Sequence, residues 1–239
     1  MKKYQSSPDS YEFMRYLVQV TQDNGKCAQL PALAELSKEL NVSIARLREQ
    51  LEMAKALGLV EVRPRTGIRS IPWSFFPAVR NSLWYALETN PLNFDAYSDF
   101  RNHVEEAYWL EAVALLTGED HIELKNLVNS AWKKLRNPQV VIPHAEHRRI
   151  HMRIFNRLEN PFVLGVLEAY WEAYEDIGLN LYTEYDYLER VWQYHDLMVD
   201  AILRGDYNAG YRALVDHKDL LYHRPVARLI SEKEGKENL

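Results

Sequence analysis

Apolar residues in the first part of the chain recur three and four positions apart, then two apart, and then three and four apart again almost to the end. That change of period predicts helices, a short sheet and helices once more. From Asp9 to about Gln22, Tyr11, Met14, Leu17 and Val18 share one helical face, and Asp23-Asn24-Gly25 breaks the pattern. A second helix, Ala32 to Leu40, repeats Leu33, Leu36 and Leu40, and Asn41-Val42-Ser43 separates it from a third, Ile44 to Leu57. The Ser43 hydroxyl is placed to cap an orphan N–H of the third helix, Leu47, Leu51 and Ala54 face inward, and Gly58 ends it. Leu59 to Arg63 alternates as a strand, Pro64-Arg65-Thr66-Gly67 turns, and Ile68 to Ile71 returns. Three helices and a hairpin in this order form a winged helix-turn-helix, the alternative being a helical pair beside an unrelated hairpin.

Pro72-Trp73-Ser74-Phe75-Phe76-Pro77 resists helix formation and reads as a joint. Beyond it the period is helical throughout, near 78–89, 94–117, 119–136, 143–158, 161–180, 184–204 and 207–222, with breaks at Asn90-Pro91, Gly118, Asn137-Pro138, Asn160-Pro161, Tyr182-Thr183 and Gly205-Asp206. The fold class expected is mainly α: an N-terminal winged helix-turn-helix and a C-terminal all-α antiparallel helical bundle. The domains expected are a DNA-binding head over 1–72, a linker over 73–78, a helical domain over 79–226 and a charged, frayed tail over 227–239.

Composition narrows the function. The chain is 239 residues, 47% apolar and 26% charged, with no apolar run of membrane-spanning length and no signal-like N-terminus, which predicts a cytoplasmic protein without a membrane partner. Cys27 is the single cysteine, so a disulfide framework and a cysteine zinc cluster are excluded. The net charge of -5 is unevenly divided: residues 1–73 hold eleven Lys and Arg against eight Asp and Glu, while the remainder holds eighteen against twenty-six. A basic head on an acidic body suits a module that touches DNA joined to one that does not. The helix beginning at Ser43 would enter the major groove, with the hairpin beside it offering Arg63, Arg65 and Arg69 to phosphates or the minor groove.

Four of eight histidines have informative spacing. His147 and His151 lie four apart on one helix and so project from the same face. His195 is ten residues before Gly205 and His217 eleven after Asp206, so a helical hairpin folded at that turn sets them at one level. Imidazoles from three helices converging in a bundle suit a divalent transition metal such as zinc, nickel or iron, whereas any one of them alone reads as a solvated or core-satisfied histidine. Arg101 on the 94–117 helix could clamp a ligand carboxylate, or form an intrahelical pair with Glu105. No HExxH, nucleophile elbow or glycine-rich phosphate loop is present, which argues against an enzyme.

Two groups of residues together resemble one family. Leu36 to Val42, the run Ser43-Ile44-Ala45-Arg46-Leu47-Arg48-Glu49-Gln50-Leu51, then Gly58-Leu59-Val60 and Gly67, are similar to the DNA-binding head of GntR-type transcriptional regulators. His151 followed by Asn160-Pro161, the run His195 to Asp206, His217, and Arg101 with Glu105 resemble the all-helical FCD effector domain of one of its subfamilies. The resemblance implies DNA contacts by Ser43, Ala45, Arg46 and Arg48 on the helix and by Arg63, Arg65, Thr66 and Gly67 on the wing. It implies a divalent metal held by His151, His195 and His217, zinc first and nickel, iron or manganese next, with a small carboxylate completing the coordination. The family's usual Asp, four residues before the first of these histidines, is here His147, which either replaces it as a ligand or points away and leaves a water. Such an exchange makes the site one unit more positive and favours an anionic effector. The usual Arg after the capping Ser is here Ile44, which implies a different operator unless Arg46 substitutes.

The function expected is a homodimeric regulator that binds pseudo-palindromic operator DNA and senses a small organic acid, with Arg101 at the effector. The alternatives are a metal-dependent enzyme on a helical bundle and a metal-free regulator that binds its effector directly.

Overall fold

The element order follows the change of period, in a computed structural model that describes residues 11–24, 27–179 and 184–222. The expected starts and breaks at Asp9, Gly25 and Tyr182-Thr183, and the charged tail over 227–239, lie outside the described residues. Contacts divide the chain into two units, Met1–Asn81 and Ser82–Leu239.

The first unit contains α1 (Glu12–Asn24), α2 (Leu33–Leu40), α3 (Ile44–Ala56), β1 (Val60–Arg63) and β2 (Gly67–Ser70). Phe13, Leu17, Leu30, Leu36, Leu47, Leu51, Ala54, Val60 and Ile68 form its core. The buried face of α1 therefore runs through Phe13 and Leu17, whereas Val18, expected on it, is 57% exposed. Asn41 closes α2 in the left-handed conformation and Ser43 caps α3, its side chain accepting from the Arg46 amide at 3.3 Å. Gly58 follows α3 at φ +65°, and a Cβ there would lie 2.5 Å from Pro77 Cγ, so both backbone conformation and space require glycine. The strands pair antiparallel from Val60↔Ser70 to Arg63↔Gly67. Residues 28–30 line the far side of β2: the Leu30 amide donates to Ile68 O and the Ser70 amide to Ala28 O, both at 2.9 Å.

The joint expected over 72–77 is shorter in the structure. Helix α4 spans Phe76–Thr89 and takes Pro77 into its first turn, where a missing N–H costs no intrahelical bond.

The second unit is a helical bundle of α5 (Asn93–Ala114), α6 (Gly118–Leu135), α7 (His144–Phe155), α8 (Pro161–Asp176), α9 (Tyr185–Leu203) and α10 (Tyr207–Tyr222), preceded by most of α4. Helix α5 ends three residues before the expected 117 because Thr117 must leave helical angles to cap α6, in a reciprocal box with Asp120. Helix α7 stops at Phe155 rather than 158, ahead of Asn160-Pro161, where Asn160 caps α8 and accepts from the Phe162 and Val163 amides. Trp109, Leu124, Ile150, Phe155, Leu167, Trp192 and Met198 lie in the core, with α10 against α9 and α5, α6 against α7 and α9, and α5 against α7 and α8. Helix α10 approaches α5 closely at Gly210, where a Cβ would lie 2.7 Å from Trp109 Cζ2. Among the described residues, no helix is long and apolar enough to cross a membrane.

Candidate metal centre and nucleic-acid interface

The histidines singled out by spacing converge inside the second unit. His147 and His151 come from α7, His195 from α9 and His217 from α10, and one ring nitrogen from each lies within 4.8 Å of every other. The one-turn offset on α7 aligns the first two, with ring centroids 5.2 Å apart. The hairpin of α9 and α10 brings His195 and His217 to 4.4 Å, as the symmetry about Gly205-Asp206 predicts. His151, His195 and His217 are buried, and His147 is partly buried against Trp171, whose ring centroid lies 4.8 Å away.

Burial sets the protonation of this cluster. Desolvation first, and the neighbouring histidines next, push His147, His195 and His217 well below the ordinary imidazole value. His151 is lowered by burial too, though the Glu105 carboxylate partly opposes this. Four neutral imidazoles with inward lone pairs are what a divalent transition metal requires.

Hydrogen bonds fix the rings. His195 Nδ1 donates to the Val191 carbonyl at 2.7 Å, which leaves its Nε2 as a lone pair facing His151 Nε2 at 3.1 Å. His151 Nδ1 lies 3.1 Å from Glu105 Oε1 and 2.9 Å from Arg101 Nη2. The two contacts require opposite tautomers. With Arg101 donating to Nδ1, the His151 proton sits on Nε2 and is donated to His195. With Nδ1 donating to Glu105, His151 Nε2 is free to coordinate, in the carboxylate–histidine–metal arrangement. Nε2 of His147 and of His217 are buried with no hydrogen-bond partner.

These observations fit a metal. Nitrogens bonded at about 2.0–2.1 Å lie roughly 3.0–3.4 Å apart when adjacent and about 4.2 Å when opposite. The His151–His195 pair at 3.1 Å already has the adjacent spacing, and an ion would supply partners to the two orphaned nitrogens. His147, His151, His195 and His217 are the residues that would hold it.

Arg101, considered both as a carboxylate clamp and as a partner of Glu105, lies in this structure on Glu105 at 2.7 Å. It is 2% exposed, donates to Asn102 Oδ1 at 3.1 Å, and stacks its guanidinium over Tyr170 with the centroid at 4.4 Å. Burial alone would raise the Glu105 carboxyl, but Arg101 and His151 outweigh it and hold it below its usual value. Tyr170 and Trp171, aromatics of the helical domain that the sequence reads as core or dimer interface with any part in a pocket left open, lie against Arg101 and His151, and Asn102, which the sequence does not signal, lies beside Arg101 on α5. A narrow cleft, open to solvent and lined by Ile142, His144, Tyr174, Tyr187 and Trp192, reaches His147.

The other candidate residues gather on the first unit. Ser43, Ala45, Arg46 and Arg48 are exposed at the start of α3, and Arg63, Arg65, Thr66, Gly67 and Arg69 are exposed on the hairpin. Arg46 pairs with Glu12 of α1 at 2.8 Å, and Arg63 pairs with Glu61 at 2.8 Å. The Thr66 carbonyl accepts from Gln29 Nε2 at 2.7 Å, which braces the tip of the hairpin, and Arg65 stands there at φ 70°. Gln29 is a support that sequence reasoning missed, since three paired residues before a proline give no strand signal.

Comparison with known proteins gives concordant results. Residues 97–220 match the FCD domain family. An uncharacterized HTH-type transcriptional regulator of Escherichia coli K12, YieP, is 25% identical over 193 residues, covering 77% of this chain and 80% of that one. Among solved structures, a Streptococcus agalactiae GntR superposes with a TM-score of 0.65 at 18% identity, over 90% of this chain and 98% of that one. Escherichia coli McbR/YncC superposes with a TM-score of 0.50 at 16% identity, over 95% and 100% of the two chains. At these identities the structural likenesses bear on fold alone.

Proposed function

The chain belongs to the GntR family of transcriptional regulators, in the subfamily with an FCD domain, and from that premise we propose that it is a metal-dependent sensor of a small organic acid. Members of this family are regulators and not enzymes. The observation that carries the reading is the convergence of four neutral imidazoles, with two orphaned ring nitrogens, in a buried site. Zinc is the metal favoured, with nickel, iron and manganese as rivals, and His147 is a ligand alongside His151, His195 and His217. The metal would supply a fixed positive centre able to hold an effector carboxylate. Glu105 is already balanced by Arg101, so no side chain of the cluster offsets a divalent charge, and an anionic effector does so. Arg101, in contact with His151, is the guanidinium at hand for that anion.

In this proposal the winged units of a homodimer bind two half-sites of a pseudo-palindromic operator in the cytoplasm. Ser43, Ala45 and Arg48 lie in the major groove, and Arg46, paired with Glu12 on the side of α3 that faces α1, lies with Arg63, Arg65, Thr66 and Gly67 on the backbone beside it. An effector that binds better to the form with the two heads misplaced for the operator lowers DNA affinity by that difference, and DNA weakens effector binding equally.

Elemental mass spectrometry on untagged protein, prepared without chelator, tests the metal. About one divalent ion per chain, lost in His151→Ala, is the expected result. No metal in either protein overturns this half and favours direct effector recognition by Arg101 and the histidines. Salt-dependent binding to DNA, weakened by Arg48→Ala, tests the other half.

A further inference from the structure

We propose, resting on the reading of the first unit as an operator-binding head, that Ile44 selects a thymine in each half-site by contact with its C5-methyl group. Ile44 is the first residue of α3, directly after the Ser43 cap, and is 40% exposed. Leu47, Gln50, Leu51 and Ala54 bury one face of this helix, while Ala45, Arg48, Glu49 and Glu52 are exposed on the other. The N-terminal residues of a recognition helix are the ones that reach base edges.

At that end of α3 the side chains beyond the cap are Ile44, Ala45 and Arg46. Arg46 is tied back toward α1. Its Nη2 lies 2.8 Å from Glu12 Oε1, and the second oxygen of Glu12 accepts from Gln50 Nε2 at 2.7 Å. Gln50, itself buried, accepts in turn from the Phe13 amide at 2.8 Å. The guanidinium is thus fixed to the side of α3 that faces α1, and the leading edge of the helix presents hydrocarbon: the branched side chain of Ile44 and the methyl of Ala45.

Neither side chain can donate or accept a hydrogen bond. In the major groove the apolar feature is the thymine methyl, and every other base edge there is a donor or an acceptor. Isoleucine against the methyl buries apolar surface on both partners. Against guanine O6 or cytosine N4 it removes water from a polar edge and returns nothing. Ile44 therefore discriminates by shape and desolvation, while Arg48, one turn further on, supplies the hydrogen-bonding readout.

The test uses the full-length chain and a library of randomised double-stranded oligonucleotides. Sequences selected by the wild type are resynthesised with each thymine replaced singly by deoxyuridine, which removes only the methyl group. Binding is then measured for the wild type and for Ile44→Ala. The expected result is one thymine per half-site whose replacement weakens the wild type by about three- to tenfold and Ile44→Ala by less than about twofold. Deoxyuridine that costs both proteins equally at every position overturns the assignment while leaving the operator-binding reading intact. A library that yields no enriched sequence overturns that reading, and this assignment with it. Equal thermal melting of the two proteins shows that the exposed substitution leaves the fold unchanged.

Discussion

Glu105 Oε1 stands 3.1 Å from His151 Nδ1, both of them buried, and the contact joins α5 to α7 next to the histidine cluster. Arg101 balances the carboxylate, so its role falls on the ring: with His151 Nδ1 donating to Glu105, Nε2 is left free to coordinate. Glu105→Gln keeps the shape and removes the charge. It is expected to weaken metal binding by about 10–100-fold, measured by competition with a chelator of known affinity. An unchanged affinity would show that Arg101 and Glu105 serve packing alone.

Metal-free protein should lose stability on the acidic side of neutrality. The cluster's imidazoles have folded values pushed below the unfolded one near 6.5. Above that pH both states are neutral and the cluster makes no pH-dependent contribution. As pH falls through about 6.5 the unfolded chain takes up protons that the folded chain refuses, so unfolding becomes easier. The limiting slope is about 1.4 kcal/mol per pH unit for each such histidine. Urea denaturation at pH 7.5, 6.5 and 5.5 checks this, and a flat stability would contradict neutral burial.

Asp120 closes the capping box of α6 and receives Arg157 and Arg153 of the neighbouring segment, with its side chain 1% exposed. The hydrogen bond from Arg157 and those from Thr117 hold its carboxyl far below the usual aspartate range. Its stabilisation is therefore complete above the unfolded value near 4 and fades as pH drops toward the folded one. Asp120→Ala should cost about 2–4 kcal/mol at neutral pH through the lost cap and charged hydrogen bonds. The gap between variant and wild type should narrow below about pH 4, as read by chemical denaturation.

Gly210→Ala tests the close approach of α10 to α5. The added Cβ meets Trp109, whose indole N–H donates to the Tyr207 carbonyl at 2.9 Å, so the ring cannot retreat without breaking that bond. A cost of about 1–3 kcal/mol is expected, or a melting point lower by about 2–10 °C. Gly118→Ala is the control: nothing lies within 4 Å of a Cβ there, and the substitution should be neutral or mildly stabilising.

Much of this architecture was legible because it rests on short-range regularities. The i, i+4 offset of His147 and His151 and the symmetric placement of His195 and His217 about Gly205-Asp206 follow from helix geometry. On α1 the face through Met14 and Leu17 is the buried one, but Phe13 joins it through packing in the core of the first unit and Val18, apolar as it is, falls outside that contact. Arg101 was undecided for a different reason. An arginine four residues before a glutamate reads as a solvated pair, and its burial depends on Tyr170 and His151, which are distant in sequence. The pairing of residues 28–30 with β2 left no periodic trace in so short a segment.

The histidine cluster draws its donors from α7, α9 and α10, and its supporting carboxylate from α5. No smaller part of the chain holds the set, and His217 is the last to leave the ribosome. The four histidines therefore come together on a nascent chain only once residue 217 has emerged and α10 has packed against α9. A metal held by all four would then report that α10 has docked, and its binding free energy would add to the stability of the closed bundle.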